Sequence, residues 1–130
     1  MNFKTMAVIT GIVTLVLGVG YLFAGALVLG RWQLEPVDSV LLVGRRIGGV
    51  YLGLSLMYFL ARSAPVSVAR TALSAGTTVA LSFLVVLGVY EFTAGHAGSG
   101  ILVTAAIEFL LALGFIRVLF TERKAVTHQA

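Results

Sequence analysis

Long uncharged segments constrain this chain more than any other feature of its sequence. The first covers residues 6–29, which is 24 residues without a charged side chain. An α-helix needs about 20 apolar residues to cross the hydrocarbon core of a bilayer, so this segment is long enough for a complete span. It is too long for the apolar region of a secretory signal peptide, and further apolar segments follow it. We therefore expect an uncleaved first transmembrane helix.

Three further apolar segments complete the prediction of a single transmembrane domain over residues 1–130. They cover residues 40–61, 71–90 and 101–120. The connections between them are short, which favours antiparallel packing of successive helices. Only 11% of the residues are charged, compared with about 25% in soluble domains. The sequence therefore predicts an all-α fold, an integral membrane four-helix up-and-down transmembrane bundle.

The positions of the basic residues predict the orientation of the bundle. The chain has nine Lys and Arg residues against five Asp and Glu residues. Six of the nine lie on the side of the membrane that holds both termini: Lys4, Arg62, Arg70, Arg117, Arg123 and Lys124. The positive-inside rule assigns that side to the cytoplasm. The basic residues flank the apolar segments and form no basic face, so we expect a lipid bilayer and no nucleic acid as a partner.

Small residues recur on the faces of the first two spans. In the first span they share one face with a tyrosine: Ala7, Gly11, Thr14, Gly18, Tyr21 and Gly25. The second span has one small face with Gly44, Gly48 and Ser55, and another with Gly49 and Gly53. Close contact between small residues stabilises helix pairs in membranes. Two such faces predict that the second span lies at the centre of the bundle.

Apart from Arg117 near the cytoplasmic end of the fourth span, three charged residues lie inside predicted spans: Arg45, Arg46 and Glu108. A charge within a span is costly and needs a partner. The arginines lie roughly 8–9 Å along the second span and Glu108 roughly 10 Å along the fourth, both measured from the same side of the membrane. The sequence therefore predicts an Arg–Glu pair between these spans. Glu91 is a second candidate partner, and Tyr21 lies at a similar depth for a hydrogen bond.

The predicted polar cluster of Arg45, Arg46, Glu108, Glu91 and Tyr21 has two interpretations. It fixes which helices are neighbours, or it forms a polar pocket that opens to the outer side. Two arginines against one membrane carboxylate leave a positive excess. In the second interpretation, this excess favours an anionic ligand, a lipid headgroup or a quinone oxygen over a cation.

Motifs for catalysis and cofactor binding are absent from the sequence. Without cysteine the chain has no disulfide, thiolate metal site or iron–sulfur cluster. It contains no P-loop, nucleophile elbow or HExxH motif. His96 lies in a glycine-rich loop and His128 in the C-terminal tail, so neither lies in a span where it could ligate haem. We expect no enzyme activity, no catalytic residue, and no cofactor or metal site.

Residues 44–55, with the sequence GRRIGGVYLGLS, resemble the second helix of DoxX-like proteins and related small four-helix bacterial membrane proteins of unknown function. The shared features are an Arg and a Gly at the start, another Gly a turn later, and Ala61-Arg62 at the cytoplasmic end. This resemblance implies a four-span protein of the bacterial inner membrane with an accessory role. It assigns no catalytic residue.

Two functional hypotheses follow from these features. The first is an accessory or scaffold subunit of a larger membrane assembly without catalysis of its own, with another membrane protein as its partner. The alternative is a small transporter, or a lipid- or quinone-binding module, that uses the Arg–Glu cluster. Because a chain of this length encloses little volume, a transport path would need a homo-oligomer.

Overall fold

The computed structural model describes residues 2–127, with side chains described through Glu122. These residues form four long helices and a short one: α1 (Phe3–Phe23), α2 (Gly25–Arg31), α3 (Asp38–Ala61), α4 (Val68–Thr93) and α5 (Gly100–Thr127). Each of the four long helices has a segment long and apolar enough to cross a membrane. The all-α fold and the multi-pass membrane class are therefore confirmed. The side chains of Arg123 and Lys124, and the predicted solvated tail at His128, lie outside what is described.

The first apolar segment does not form one continuous helix. The backbone of Ala24 leaves the helical conformation with φ −134° and ψ 34°, although its N–H still donates to the Gly20 carbonyl oxygen. Gly20 and Gly25 flank the break, and glycine lowers helix stability relative to alanine. The first span therefore ends at Phe23, and α2 lies against α1 and α3.

Helices α1 and α3 pack with their backbones in close contact. A Cβ atom on Gly18 would lie 2.8 Å from Leu52 Cδ2, and a Cβ atom on Gly48 would lie 2.9 Å from the Gly18 carbonyl oxygen. Deeper in the pair, the Ser55 hydroxyl donates a 2.8 Å hydrogen bond to the Gly11 carbonyl oxygen. The contacts pair rising α1 numbers with falling α3 numbers, so the helices are antiparallel. The small face of the first span is confirmed from Ala7 to Tyr21, whereas Gly25 lies in α2. The Gly44, Gly48 and Ser55 face of the second span is also confirmed.

The prediction that the second span is central is wrong. Helix α3 packs mainly on α1, and α4 packs mainly on α5, while α1 also contacts α5. The second small face of α3 is open, since a Cβ atom on Gly49 or Gly53 would have no neighbour within 4 Å. The molecule is therefore two helix pairs, α1/α3 and α4/α5, joined mainly through α1 and α5.

The two pairs meet in a core at the end of the bundle that holds the N-terminus, which we call the closed end. The core residues are Phe3, Met6, Ala7, Tyr58, Leu111, Phe115 and Val118. The rings of Tyr58 on α3 and Phe115 on α5 lie 6.1 Å apart. The Tyr58 hydroxyl is also hydrogen-bonded to the Thr77 hydroxyl on α4. Tyr58 therefore connects three helices at the closed end.

An ion pair between Arg70 and Glu122 covers this core. The Arg70 side chain also donates a 2.8 Å hydrogen bond to the Ala64 carbonyl oxygen, and its guanidinium lies 4.3 Å from the centre of the Phe3 ring. These contacts connect α1, α4, α5 and the loop before α4. From the sequence, Arg70 is predicted only to contribute to the basic charge of the cytoplasmic side, and Glu122 is not predicted as its partner. Arg70 is near the start of α4 and Glu122 near the end of the antiparallel helix α5. Their position at the same end of the two helices is the sequence feature from which the pair could have been predicted.

We expect Glu122→Gln to lower the free energy of unfolding by about 2 kcal/mol, because it leaves the Arg70 guanidinium without its counter-charge. Breaking a fully buried pair costs about 3–5 kcal/mol, and the smaller figure allows for the residual exposure of 16% and 11%. The measurement is unfolding in mixed micelles titrated with sodium dodecyl sulfate. The double variant Arg70→Met with Glu122→Met is the control and should lose less stability than the single one. Equal stability of Glu122→Gln and the parent would contradict the prediction.

Candidate functional site

A cavity of about 270 Å³ separates the two helix pairs at the end opposite the closed end. All four long helices and the loop after α2 contribute to its wall. Most of the wall is aliphatic. Its aromatic and polar residues are Tyr21, Trp32, Tyr51, Glu91, Thr104 and Glu108. The cavity therefore combines two carboxylates with three aromatic rings.

The aromatic wall is built on the contact between α1 and α3. The rings of Tyr21 and Tyr51 are stacked, with centroids 6.0 Å apart and an interplanar angle of 9°. Trp32 meets Tyr21 edge to face at 6.4 Å. Gly44 makes room for this arrangement, since a Cβ atom there would lie 3.3 Å from the Tyr21 ring. The small face that joins the helices thus also positions the rings.

Two loops close over the outer end of the cavity. The Trp32 indole N–H donates a 3.3 Å hydrogen bond to the Thr104 hydroxyl on α5. The backbone N–H of Gly98, in the loop before α5, donates a 2.7 Å hydrogen bond to the Trp32 carbonyl oxygen. Trp32 is half-buried in this position. These bonds connect the α2–α3 loop to α5 and to the α4–α5 loop above the cavity.

The carboxylates reach the cavity because α4 and α5 approach closely at Gly88. A Cβ atom on Gly88 would lie 3.3 Å from the Ala105 Cβ. Glu91 and Glu108 each lie three residues after one member of this contact, so both are on the facing sides of their helices. Glu91 Oε2 lies 2.8 Å from His96 Nδ1, and both side chains are solvent-exposed in part. His96 is therefore a loop residue that pairs with Glu91.

Glu108 is half-buried and has neither a hydrogen-bond nor an ion-pair partner among the described side chains. Arg45 and Arg46 are exposed. Among the described residues, neither of them forms the predicted ion pair with Glu108. The reason is helical geometry: Gly44 faces α1, and each following residue is rotated by about 100°. The two arginines therefore point away from the α1/α3 contact, which is next to the cavity. Arg45 lies beside α2, and Arg46 lies in a shallow groove of α3 that shares Ile47 with the cavity.

Of the predicted cluster, the structure brings together Tyr21, Glu91 and Glu108 and leaves out both arginines. Tyr51, Trp32 and Thr104 complete the site and were not predicted as members. Among the described residues, no group of three His, Cys, Asp or Glu side chains could hold a metal ion. The described lining therefore holds two carboxyl groups and no basic side chain, in contrast to the positive excess expected from the sequence.

Relatives would provide an independent guide to the chemistry of this cavity. None was found. Comparisons with protein-family models, with curated proteins and with solved structures give no match for this chain. The DoxX-like resemblance therefore stays a prediction, and the function is inferred from the geometry of the cavity.

Proposed function

We propose that this protein is a small membrane module that binds organic cations in the cavity between its helix pairs. The observation that carries the proposal is Glu108, a half-buried carboxylate without a protein counter-charge among the described residues, in a cavity with aromatic walls. The proposal keeps the binding or transport hypothesis from the sequence and reverses the charge of the ligand.

The chemistry of the wall favours a cation over an anion or a quinone. An ionised carboxylate in an apolar site is costly unless a positive group compensates it. Faces of Tyr and Trp rings attract cations, and quaternary ammonium groups are recognised in this way. Tyr21, Tyr51 and Trp32 supply such rings beside Glu108. Both candidate anion-binding side chains, Arg45 and Arg46, lie outside the cavity.

The size of the cavity limits the bound group. Sites for drug-sized ligands have volumes of about 300–1,000 Å³, and this cavity is slightly smaller at about 270 Å³. The volume suits a compact group such as a substituted ammonium. It does not suit a large planar ring system with its side chain.

We infer that the protein lies in the cell membrane, the inner membrane of a bacterium, with both termini in the cytoplasm. The positive-inside rule supports this orientation. The closed end, with Arg70, then faces the cytoplasm. The cavity and the loop that holds Trp32 then lie in the outer half of the bilayer.

An accessory or scaffold role is the second candidate function. It is favoured by the open face of α3, where Gly49 and Gly53 have space for the close approach of another helix. The partner would be another membrane protein or a second copy of this chain. The DoxX-like resemblance supports the same role.

The test uses the only tryptophan of the chain, Trp32, as a reporter inside the cavity. We expect phenyltrimethylammonium to change the Trp32 fluorescence of the protein in lipid nanodiscs in a saturable way. The neutral isostere tert-butylbenzene should bind at least tenfold more weakly, because it cannot pair with Glu108. Equal binding of both compounds, or no binding of either, would contradict the proposed function.

A further inference from the structure

We propose that the ligand is a lipid-dissolved amphiphile with a cationic headgroup, which enters the cavity sideways from the bilayer between α3 and α4. The headgroup lies beside Glu108, and the hydrocarbon tail stays in the gap between the helices. This inference rests on the proposed cation-binding function and names the substrate class of the same site.

The gap follows from the way the helices pair. Helix α3 packs on α1 and helix α4 packs on α5, whereas α3 and α4 have little contact with each other. The hydrogen bond between Tyr58 and Thr77 joins them near the closed end. Tyr51 lies seven residues before Tyr58, or about 10 Å further along the helix. At that level the cavity separates α3 from α4.

The exposure of the lining residues shows on which side the cavity opens. Ile47 on α3 is 42% exposed, and Leu84 and Leu87 on α4 are 38% and 51% exposed. Tyr21, which lines the cavity from α1, is only 8% exposed. Since α1 also packs against α5, the cavity is covered on that side. The opening is therefore the gap between α3 and α4.

The surface around this opening is mostly apolar. Val43 and Val50 beside it on α3, and Phe83 and Val86 on α4, are exposed apolar side chains. Arg46 does not line the cavity, but it shares a shallow groove with Val43, Ile47 and Val50 and therefore lies at the α3 border of the opening. The loops held by Trp32 cover the outer end. A ligand that comes from the lipid therefore meets a largely apolar route with Arg46 at its α3 edge, whereas one that comes from water meets the loops.

An amphiphile fits this combination better than a small soluble cation. A volume of about 270 Å³ accommodates a compact headgroup but not a headgroup together with a long chain. A hydrocarbon tail gains about 0.8 kcal/mol of free energy for each CH₂ group on transfer from water to lipid, and a tail that stays in contact with lipid keeps this gain. Entry through the side gap allows the charged group to reach Glu108 while the tail remains in an apolar environment.

The experiment is photolabelling of the protein in nanodiscs with a dodecyltrimethylammonium that carries a diazirine in the middle of its chain. We expect the label on residues that border the gap, Ile47, Leu84 and Leu87, and we expect excess phenyltrimethylammonium to prevent it. The matched control is the same labelled chain with a neutral hydroxyl headgroup. This neutral probe should label exposed positions on other faces, such as Val16 and Leu110, as strongly as it labels the residues at the gap.

The outcomes separate this inference from the proposed function. If phenyltrimethylammonium binds but the cationic probe labels all lipid-facing surfaces evenly, the side entry is wrong and cation binding stands. If phenyltrimethylammonium does not bind at all, the proposed function itself fails. Labelling at the gap that the competitor does not reduce would also overturn the inference, because the headgroup would then lie outside the cavity.

Discussion

Replacement of Gly48 by alanine should lower the free energy of unfolding by about 3 kcal/mol. The added Cβ would lie 2.9 Å from the Gly18 carbonyl oxygen, 3.0 Å from Leu22 Cγ and 3.1 Å from Tyr21 Cβ. Two of these three neighbours cannot move by a side-chain rotation, since one is backbone and the other is a Cβ atom. The helices α1 and α3 must therefore separate. Extra volume in a well-packed contact typically lowers stability by about 1–3 kcal/mol. We expect a value at the upper end of this range because the added Cβ meets the backbone.

Gly49→Ala is the matched control for this prediction. It makes the same chemical change one position along the same helix, where a Cβ would have no neighbour within 4 Å. Alanine stabilises a helix by up to about 1 kcal/mol relative to glycine, so stability should be unchanged or raised. Unfolding in mixed micelles titrated with sodium dodecyl sulfate measures both variants. If the two substitutions have equal effects, the backbone contact between α1 and α3 is not as described.

The sequence predicts the helices and the α1/α3 contact because both depend on local patterns. Span length follows from the apolar segments, and the packed face of α1 follows from the spacing of Gly11, Gly18 and Tyr21. Sequence spacing also places Glu91 and Glu108 at one end of the bundle. These features need only the geometry of single helices and the chemistry of a bilayer.

The direction of a side chain around its helix and the choice between two small faces depend on neighbouring helices. Depth alone allowed Arg45 to reach Glu108, but the Gly44 contact with Tyr21 turns Arg45 away from the cavity. The Gly48 face packs and the Gly49 face does not, although both are small. The Arg70–Glu122 pair joins residues 52 positions apart, and no local pattern marks it. The tertiary arrangement, and with it the set of residues that line the cavity, therefore cannot be predicted from the sequence alone.

Glu108→Gln should weaken the binding of phenyltrimethylammonium about 100-fold, which corresponds to about 2.7 kcal/mol. The amide keeps the size of the side chain and removes the negative charge that faces the ligand, in a site where water screens charges less than in solution. Because Glu108 has no ion pair among the described residues, stability should stay close to that of the parent. Trp32 fluorescence titration and detergent unfolding measure the two effects separately.

Glu91→Gln and the dependence on pH assign this effect to Glu108. Glu91 is partly exposed and faces His96, so its replacement should weaken binding less than threefold. Since the cation pairs with the ionised carboxylate, a proton on Glu108 competes with it, and binding should weaken as pH falls. Below the pKa of Glu108 the dissociation constant should rise tenfold per pH unit. Tyr21, Tyr51, Glu91 and His96 are the other titratable groups around the site. The change of the dissociation constant with pH should persist in Glu91→Gln and disappear in Glu108→Gln. If it disappears only in Glu91→Gln, the cation binds at the Glu91–His96 pair and not at Glu108.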